Sequence, residues 1–287
     1  MNPLRLPPDW PYRDAALSLR VGRLRHWLID TGPRDAPVLV LLHGTGASGH
    51  SFHRTIPGLA ERWRVIVPDL PGQGCTISPG FRRLGLDEMA EDLWALCDAL
   101  KVAPEAVIGH SAGAAIGLRM AEMRPIPLGV IGLNAALGEF EGAAGLLFPL
   151  LARGLASLPM AAGAMAALWG RPNTVNRILA GTGSPLDPEG RAMYLRLVRD
   201  PDHVTGTLGM MAQWRLQGLL SRLPAMAFPV CLIASEGDRA VPPQVSVDAA
   251  RRMPQARVVL LPKLGHLAHE EAPDGLSGEI LGCLSQR

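Results

Sequence analysis

The feature that most limits what this chain can fold into is a series of short stretches that are apolar without alternation. Pro37-Val38-Leu39-Val40-Leu41-Leu42 is the clearest, and similar runs follow at 64–68, 105–109, 128–133, 229–234 and 257–261. A strand with one face in water alternates apolar and polar residues, so an unbroken run predicts a strand covered on both faces. Helical or irregular stretches separate these runs. The resulting β, α, β, α order predicts an α/β fold, with a mostly parallel central sheet and helices on both faces. Alternation through residues 15–30 around Val21-Gly22-Arg23 predicts a leading hairpin. Asp87 to Leu100 reads as a helix, with Asp87 as its N-cap and Met89, Leu93, Leu96, Cys97 and Leu100 near one face.

From Asn134 to Leu223 the regularity breaks into a stretch rich in Ala, Gly, Leu and Met, punctuated by Pro149, Pro159, Pro172, Pro185 and Pro188. This predicts one α/β core, residues 1–133 and 224–287, interrupted by a helical cap or lid at 134–223. Met160, Trp169, Met210, Met211 and Trp214 are candidates to line an apolar pocket beneath the lid, because Met and Trp offer adaptable nonpolar contact. Packing within the insertion's own small core is the competing reading for each. The stretch 146–168 is apolar, but Arg153, Pro159 and several glycines oppose a spanning helix. Shallow, peripheral membrane contact is the most it supports.

Charge adds exclusions. Lys and Arg total 28 against 26 Asp and Glu, dispersed along the chain, for a formal charge of +2. That balance gives no electrostatic case for nucleic acid. No cationic start followed by an apolar run and a small-residue cleavage site is present, so a cytoplasmic location is expected. Cys75, Cys97, Cys231 and Cys283 form no C-x-x-C pair and are expected to be buried or incidental thiols.

The chemistry-bearing segment is Gly109-His110-Ser111-Ala112-Gly113, a G-x-S-x-G pentapeptide between an apolar strand and a helix-forming stretch. Small residues at 109 and 113 permit a sharp strand-to-helix turn that presents the Ser111 hydroxyl as a nucleophile. A hydroxyl needs a base to take its proton. His266, on the loop after the last strand, is the candidate, with His269 as its rival. The base needs an orienting carboxylate. Asp238, leaving the run 229–234, fits, with Glu236 and a plain turn role for Asp238 as alternatives. The chain order Ser, Asp, His is that of an α/β-hydrolase. Amides of Thr45, in His43-Gly44-Thr45-Gly46, and Ala112 are expected to face the developing oxyanion.

Two competing motifs share this region. Gly44-Thr45-Gly46-Ala47-Ser48-Gly49, followed by Asp69, also reads as a dinucleotide fingerprint, but that reading leaves the later Ser, Asp and His unexplained. Asp69 is instead expected to shape the floor beside the oxyanion loop. His43, His50 and His53 lie close in sequence without a carboxylate or cysteine at metal-ligand spacing, so neither a metal nor another cofactor is expected.

With these segments the sequence resembles the α/β-hydrolase superfamily from Leu17 onward, and Ser at 111 separates it from the branches whose nucleophile is Asp. It is more particularly similar to the magnesium-chelatase accessory proteins of bacteriochlorophyll synthesis. The residues that carry this likeness are Asp9 to Asp14, His43 to Ser48, Gly109 to Ile116, Gly181 to Ser184 with Leu186-Asp187, Asp238 to Pro243 and Gly265 to Glu271. The resemblance implies a role around magnesium insertion into protoporphyrin in phototrophic bacteria. It implies chelatase subunits as partners and an apolar small molecule, of tetrapyrrole type, as ligand.

Overall fold

In the computed structural model, which describes residues 1–80, 83–138 and 161–286, every apolar run named above is a strand. The strands are β1 (Ala16–Val21), β2 (Leu24–Thr31), β3 (Val38–Leu42), β4 (Arg64–Pro68), β5 (Pro104–His110), β6 (Gly129–Leu133), β7 (Val230–Ser235) and β8 (Ala256–Leu261). They form one sheet in the order β1-β2-β4-β3-β5-β6-β7-β8. The hairpin β1–β2 and the pair β2–β4 are antiparallel, and the other pairings are parallel.

The described helices are α1 (Ile56–Ala60), α2 (Leu86–Leu100), α3 (Ala112–Met123), α4 (Ala161–Trp169), α5 (Pro172–Gly181), α6 (Pro188–Arg199), α7 (Pro201–Gln213), α8 (Gln217–Arg222), α9 (Pro243–Arg252), α10 (Ala268–Glu271) and α11 (Pro273–Ser285). Successive side chains of a strand point to opposite faces, so an unbroken apolar run feeds two cores at once. In β3, Val38, Val40 and Leu42 pack with α2, α3 and α9, whereas Leu39 and Leu41 pack with α1 and α11. β7 divides in the same way, with Val230 and Leu232 on the first side and Cys231 and Ile233 on the second.

Between β6 and β7 lie α4 to α8. Two of these helices start on Asp-Pro pairs. Asp187 accepts from Gly190 N at 2.8 Å ahead of Pro188, and Asp200 accepts from His203 N at 3.0 Å ahead of Pro201. Proline at the first helical position loses no hydrogen bond, and the aspartate satisfies an amide that the helix leaves open.

Three expectations need correction. Asp87 is not the cap of α2, because the helix begins at Leu86 with Gly85 as N-cap. Asp87 sits in the first turn, where a carboxylate complements the helix dipole, and it pairs with Arg119 at 2.7 Å. β8 is an edge strand and is not covered on both faces; Leu260 is 49% exposed. Cys231 and Cys283 are not thiols but a disulfide, Cα atoms 6.1 Å apart, joining β7 to α11. They lie 52 residues apart, and only the packing of α11 on that sheet face brings them together. Cys75 and Cys97 are free and buried. Among the described residues no helix is long and apolar enough to cross a membrane.

The chain turns one way from β3 to β4 and the other way from β5 to β6, which leaves a crevice at the carboxyl ends of β3 and β5. Access to that crevice depends on close packing of α3. A Cβ at Gly113 would collide with the carbonyl oxygen of Leu42, and one at Gly109 would collide with the Gly113 backbone. Gly113→Ala is therefore expected to cost at least about 3 kcal/mol, at the upper end for overpacking, because backbone meets backbone and no side chain can yield. Urea unfolding monitored by circular dichroism checks this.

Candidate active site

Ser111 lies between β5 and α3, as the N-cap of the helix, with φ 53° and ψ −115°. A non-glycine residue at positive φ is held there only by its surroundings. Its amide donates to Leu133 O at 2.9 Å, and its carbonyl accepts from Ala114 N and Ala136 N, both at 3.1 Å. These bonds fix the elbow between β6 and α3. Its side chain is half-buried.

Asp238 and His266 meet as the sequence predicts. His266 Nδ1 lies 2.7 Å from Asp238 Oδ2, and both side chains are nearly excluded from water. The other oxygen, Asp238 Oδ1, accepts from Ala240 N and Val241 N, both at 2.8 Å. The two sequence readings of Asp238 thus coexist, one on each oxygen. Glu236 is exposed and takes no part. His269 is fully buried, its ring packed against Phe52 and His110 with centroids 4.9 and 4.4 Å away. Among the described residues neither of its ring nitrogens has a hydrogen-bond partner, and burial pushes its pKa down to about 3. So buried and so weakly basic, with the nearest carboxylate oxygen 3.9 Å from its Nε2, this ring is a poorer proton acceptor than one held by a carboxylate at 2.7 Å.

Among the described residues the Ser111 hydroxyl has no hydrogen-bond partner. The serine–histidine bond predicted from sequence is open in this conformation, as such contacts often are before substrate tightens them. The two loops are nevertheless neighbours. The ring of His110, next to Ser111 in the chain, lies 4.7 Å from that of His266 and donates from Nε2 to His266 O at 2.9 Å. Asn134, at the end of β6, donates to Gly265 O at 3.0 Å and His266 O at 2.9 Å, while its Oδ1 accepts from Ser235 N at 2.7 Å. One buried amide therefore ties the end of β7, ahead of Asp238, to the loop of His266.

The loop after β3 closes the site. His43 Nε2 accepts from Leu70 N at 2.9 Å, so its Nδ1 carries the hydrogen and donates to Gly44 O at 2.8 Å. Burial lowers its pKa to about 4, which keeps the ring neutral. Gly44 is pressed against the elbow, where a Cβ would stand 2.8 Å from His110 Nδ1 and 3.1 Å from Ser111 Cβ. Gly46 N donates to Gln73 Oε1 and Gly49 N to Asp69 Oδ1, both at 2.7 Å. These amides are engaged internally, which removes them from a phosphate-binding reading. The Thr45 and Ala112 amides donate to no described residue and belong to the two loops that meet at Ser111. Asp69 Oδ2 also accepts from Cys75 N at 2.7 Å, so this carboxylate joins the loop after β3 to the loop after β4; burial raises its pKa to about 6.

The proposed pocket side chains separate. Met210 is buried, its sulfur 3.1 Å from Gln73 Nε2 and 3.7 Å from Thr45 Oγ1, against the loop after β3. Met211 is half-buried on the same helix. Trp214 packs on the sheet-side core with α2 and α3, the same core that holds Met210, and Trp169 is 40% exposed. Met160 lies outside the described residues. A cavity of about 170 Å³ lined by Val130, Pro229, Val230 and Arg257 sits at the opposite ends of the strands and does not touch Ser111. Among the described residues no three His, Cys, Asp or Glu side chains converge as metal ligands.

Residues 37–273 match the sequence profile of the α/β hydrolase fold. The chain belongs to the α/β-hydrolase fold family. It is 55% identical over 284 residues, 99% of either chain, to the magnesium-chelatase 30 kDa subunit of Rhodobacter capsulatus. It is 26% identical over 256 residues to the pimeloyl-(acyl-carrier protein) methyl ester esterase of Vibrio atlanticus, covering 86% of this chain and 94% of that one. An α/β-hydrolase fold protein of Burkholderia ambifaria has a similar solved structure, with a TM-score of 0.76 and 25% identity over 93% of this chain and 99% of that one.

Sequence reasoning missed His110, Asn134 and Gln73, whose roles depend on which loops meet in space. It also missed Glu270, which is buried with Tyr194 Oη donating to its Oε1 at 2.6 Å. Burial raises the Glu270 pKa from 4.5 to about 8. Between those values the folded chain retains a proton that the unfolded chain has released, so this group makes stability fall as pH rises. Glu270→Gln keeps an acceptor for Tyr194 and removes the titration. Urea unfolding from pH 5 to 9 should show wild type losing stability relative to Glu270→Gln, by no more than about 1.4 kcal/mol per pH unit.

Proposed function

We propose that this protein is a serine hydrolase of acyl bonds, esters or thioesters of an apolar substrate, working beside magnesium chelatase in bacteriochlorophyll synthesis. The observation that carries the reaction is the buried His266–Asp238 pair beside a serine on a strained elbow. With Nδ1 engaged by Asp238, His266 is left with Nε2 to take the Ser111 proton as Oγ attacks the carbonyl carbon. The oxyanion that forms is met by the amides of Thr45 and Ala112. Collapse expels the leaving group, which takes the proton from His266, and water, deprotonated by the same ring, releases the acid from Ser111. The esterase name of the Vibrio relative supports the reaction class. The name of the Rhodobacter relative supports the setting. In this reading residues 134–223 form a cap over the site, and Met210 supplies apolar contact to a substrate such as a tetrapyrrole.

A fluorophosphonate probe tests the reaction directly. Wild type is expected to be labelled at Ser111, Ser111→Ala not at all, and Asp238→Asn at least about a thousandfold more slowly, because the imidazole loses its orienting charge. A folded wild type that resists the probe ends the hydrolase reading.

A second reading is favoured by the Rhodobacter relative's name as a chelatase subunit. In it the cap cavity holds a porphyrin for the chelatase and Ser111 is architectural. Ser111→Ala then supports magnesium–porphyrin formation as well as wild type does, and protoporphyrin binds at micromolar concentration. Loss of pigment synthesis in that variant, with its fold intact, excludes this reading.

A further inference from the structure

The three consecutive amides around the base are each held by a different partner, and two of the three partners come from the segment between β6 and β7. Gly265 N donates to Glu271 Oε1 at 2.9 Å, His266 N to Thr182 O at 3.1 Å, and Leu267 N to Ser184 Oγ at 2.8 Å. Ser184 Oγ in turn donates to the same Glu271 Oε1 at 2.5 Å, which closes a ring of hydrogen bonds around the His266 peptide. Thr182 O accepts a second amide, Arg239 N at 3.2 Å, from the residue after the orienting acid. A single carbonyl thereby ties the acid loop to the base loop.

The contact is too close to be incidental. Gly183 has φ +83°, and a Cβ there would strike Gly237 O, one residue before Asp238. A Cβ at Gly265 would strike Gly183 and Ser184 Oγ. Three chain segments approach to backbone contact at this point, and a glycine on each makes the approach possible. Ser184 is buried, 3% exposed, with its hydroxyl used both as donor and as acceptor.

We propose that Ser184 is a positioning residue for His266, and that the Thr182–Ser184 turn makes the inserted segment a structural part of the acid–base pair as well as a cover for it. Orientation is the reason this matters. Proton transfer needs the imidazole within hydrogen-bond reach and along the right direction, and a displacement of about 1 Å costs on the order of a hundredfold in rate. The inference rests on the hydrolase reading only for its kinetic consequence. The geometric claim, that Ser184 holds the His266–Asp238 pair, stands apart from turnover.

Two measurements on the full chain separate these. The first is the low-field proton resonance of His266 Nδ1–H, assigned by its loss in Asp238→Asn. The second is the rate of fluorophosphonate labelling of Ser111 from pH 5 to 9. Ser184→Ala, with its thermal midpoint measured alongside, is expected to broaden or abolish the resonance. It should also slow labelling by about a hundredfold and displace its pH profile. Ser184→Thr, which keeps the hydroxyl, restores both. A wild-type resonance and pH profile in folded Ser184→Ala overturn the proposal. If Ser184→Ala does not fold, Glu271→Ala decides, since it removes the acceptor shared by Ser184 and Gly265. Its resonance must then be lost, and a wild-type resonance overturns the proposal equally. If wild type is never labelled, the hydrolase reading fails and the resonance alone decides the role of Ser184.

Discussion

Everything at the carboxyl edge of the sheet depends on how closely α3 approaches β3 and β5. Gly113 lies where any Cβ would meet the Leu42 carbonyl, and Gly109 lies where any Cβ would meet Gly113. That approach draws the first turn of α3 into the sheet edge and forces Ser111 into a backbone conformation it would not otherwise adopt. The cost is carried by the burial of β3, β5 and α3 on one another, because nearly every side chain of these elements is excluded from water. A free helix amide at Ala112 and an accessible hydroxyl at Ser111 are consequences of the same packing.

Around this edge the polar groups are buried in an ordered way. His43, His110 and His269 are all held neutral by burial, and His110 and His43 spend their N–H groups on the carbonyls of His266 and Gly44. Neutral imidazoles can pack as flat, weakly polar bodies between loops that lack regular secondary structure. Charged ones there would carry a heavy desolvation penalty. These rings therefore work as spacers, two of which also donate one hydrogen bond, and they leave His266 as the ring paired to a buried carboxylate at hydrogen-bond distance.

How much of this was legible in the sequence follows from the range of the interactions involved. The strands were readable because unbroken apolar runs are local signals, and so were the places of Ser111, Asp238 and His266, since each follows a strand end. β8 departed from expectation because apolarity does not say whether a strand is central or at an edge. The Cys231–Cys283 bridge was hidden because it depends on α11 docking against β7, which no local pattern encodes. Asn134, His110 and Ser184 were missed for the same reason. Their partners lie 131, 156 and 83 residues away, and a lone Asn, His or Ser carries no mark of such a contact.

A buried carboxylate–imidazole pair is weak evidence for stability, since desolvating both groups offsets most of what their attraction contributes. An apolar pair of similar volume would hold the acid and base loops together at least as well. Yet here the pair is surrounded by hydrogen bonds that constrain the backbone on either side of the imidazole, through Asn134, His110, Thr182, Ser184 and Glu271. Such a mesh orders the direction of one ring and adds little to the burial of apolar area. The arrangement is intelligible if the quantity being held constant is the aim of His266 toward Ser111. On the same ground the chain between β6 and β7 meets the His266 loop at Thr182 and Ser184, through His266 N and Leu267 N.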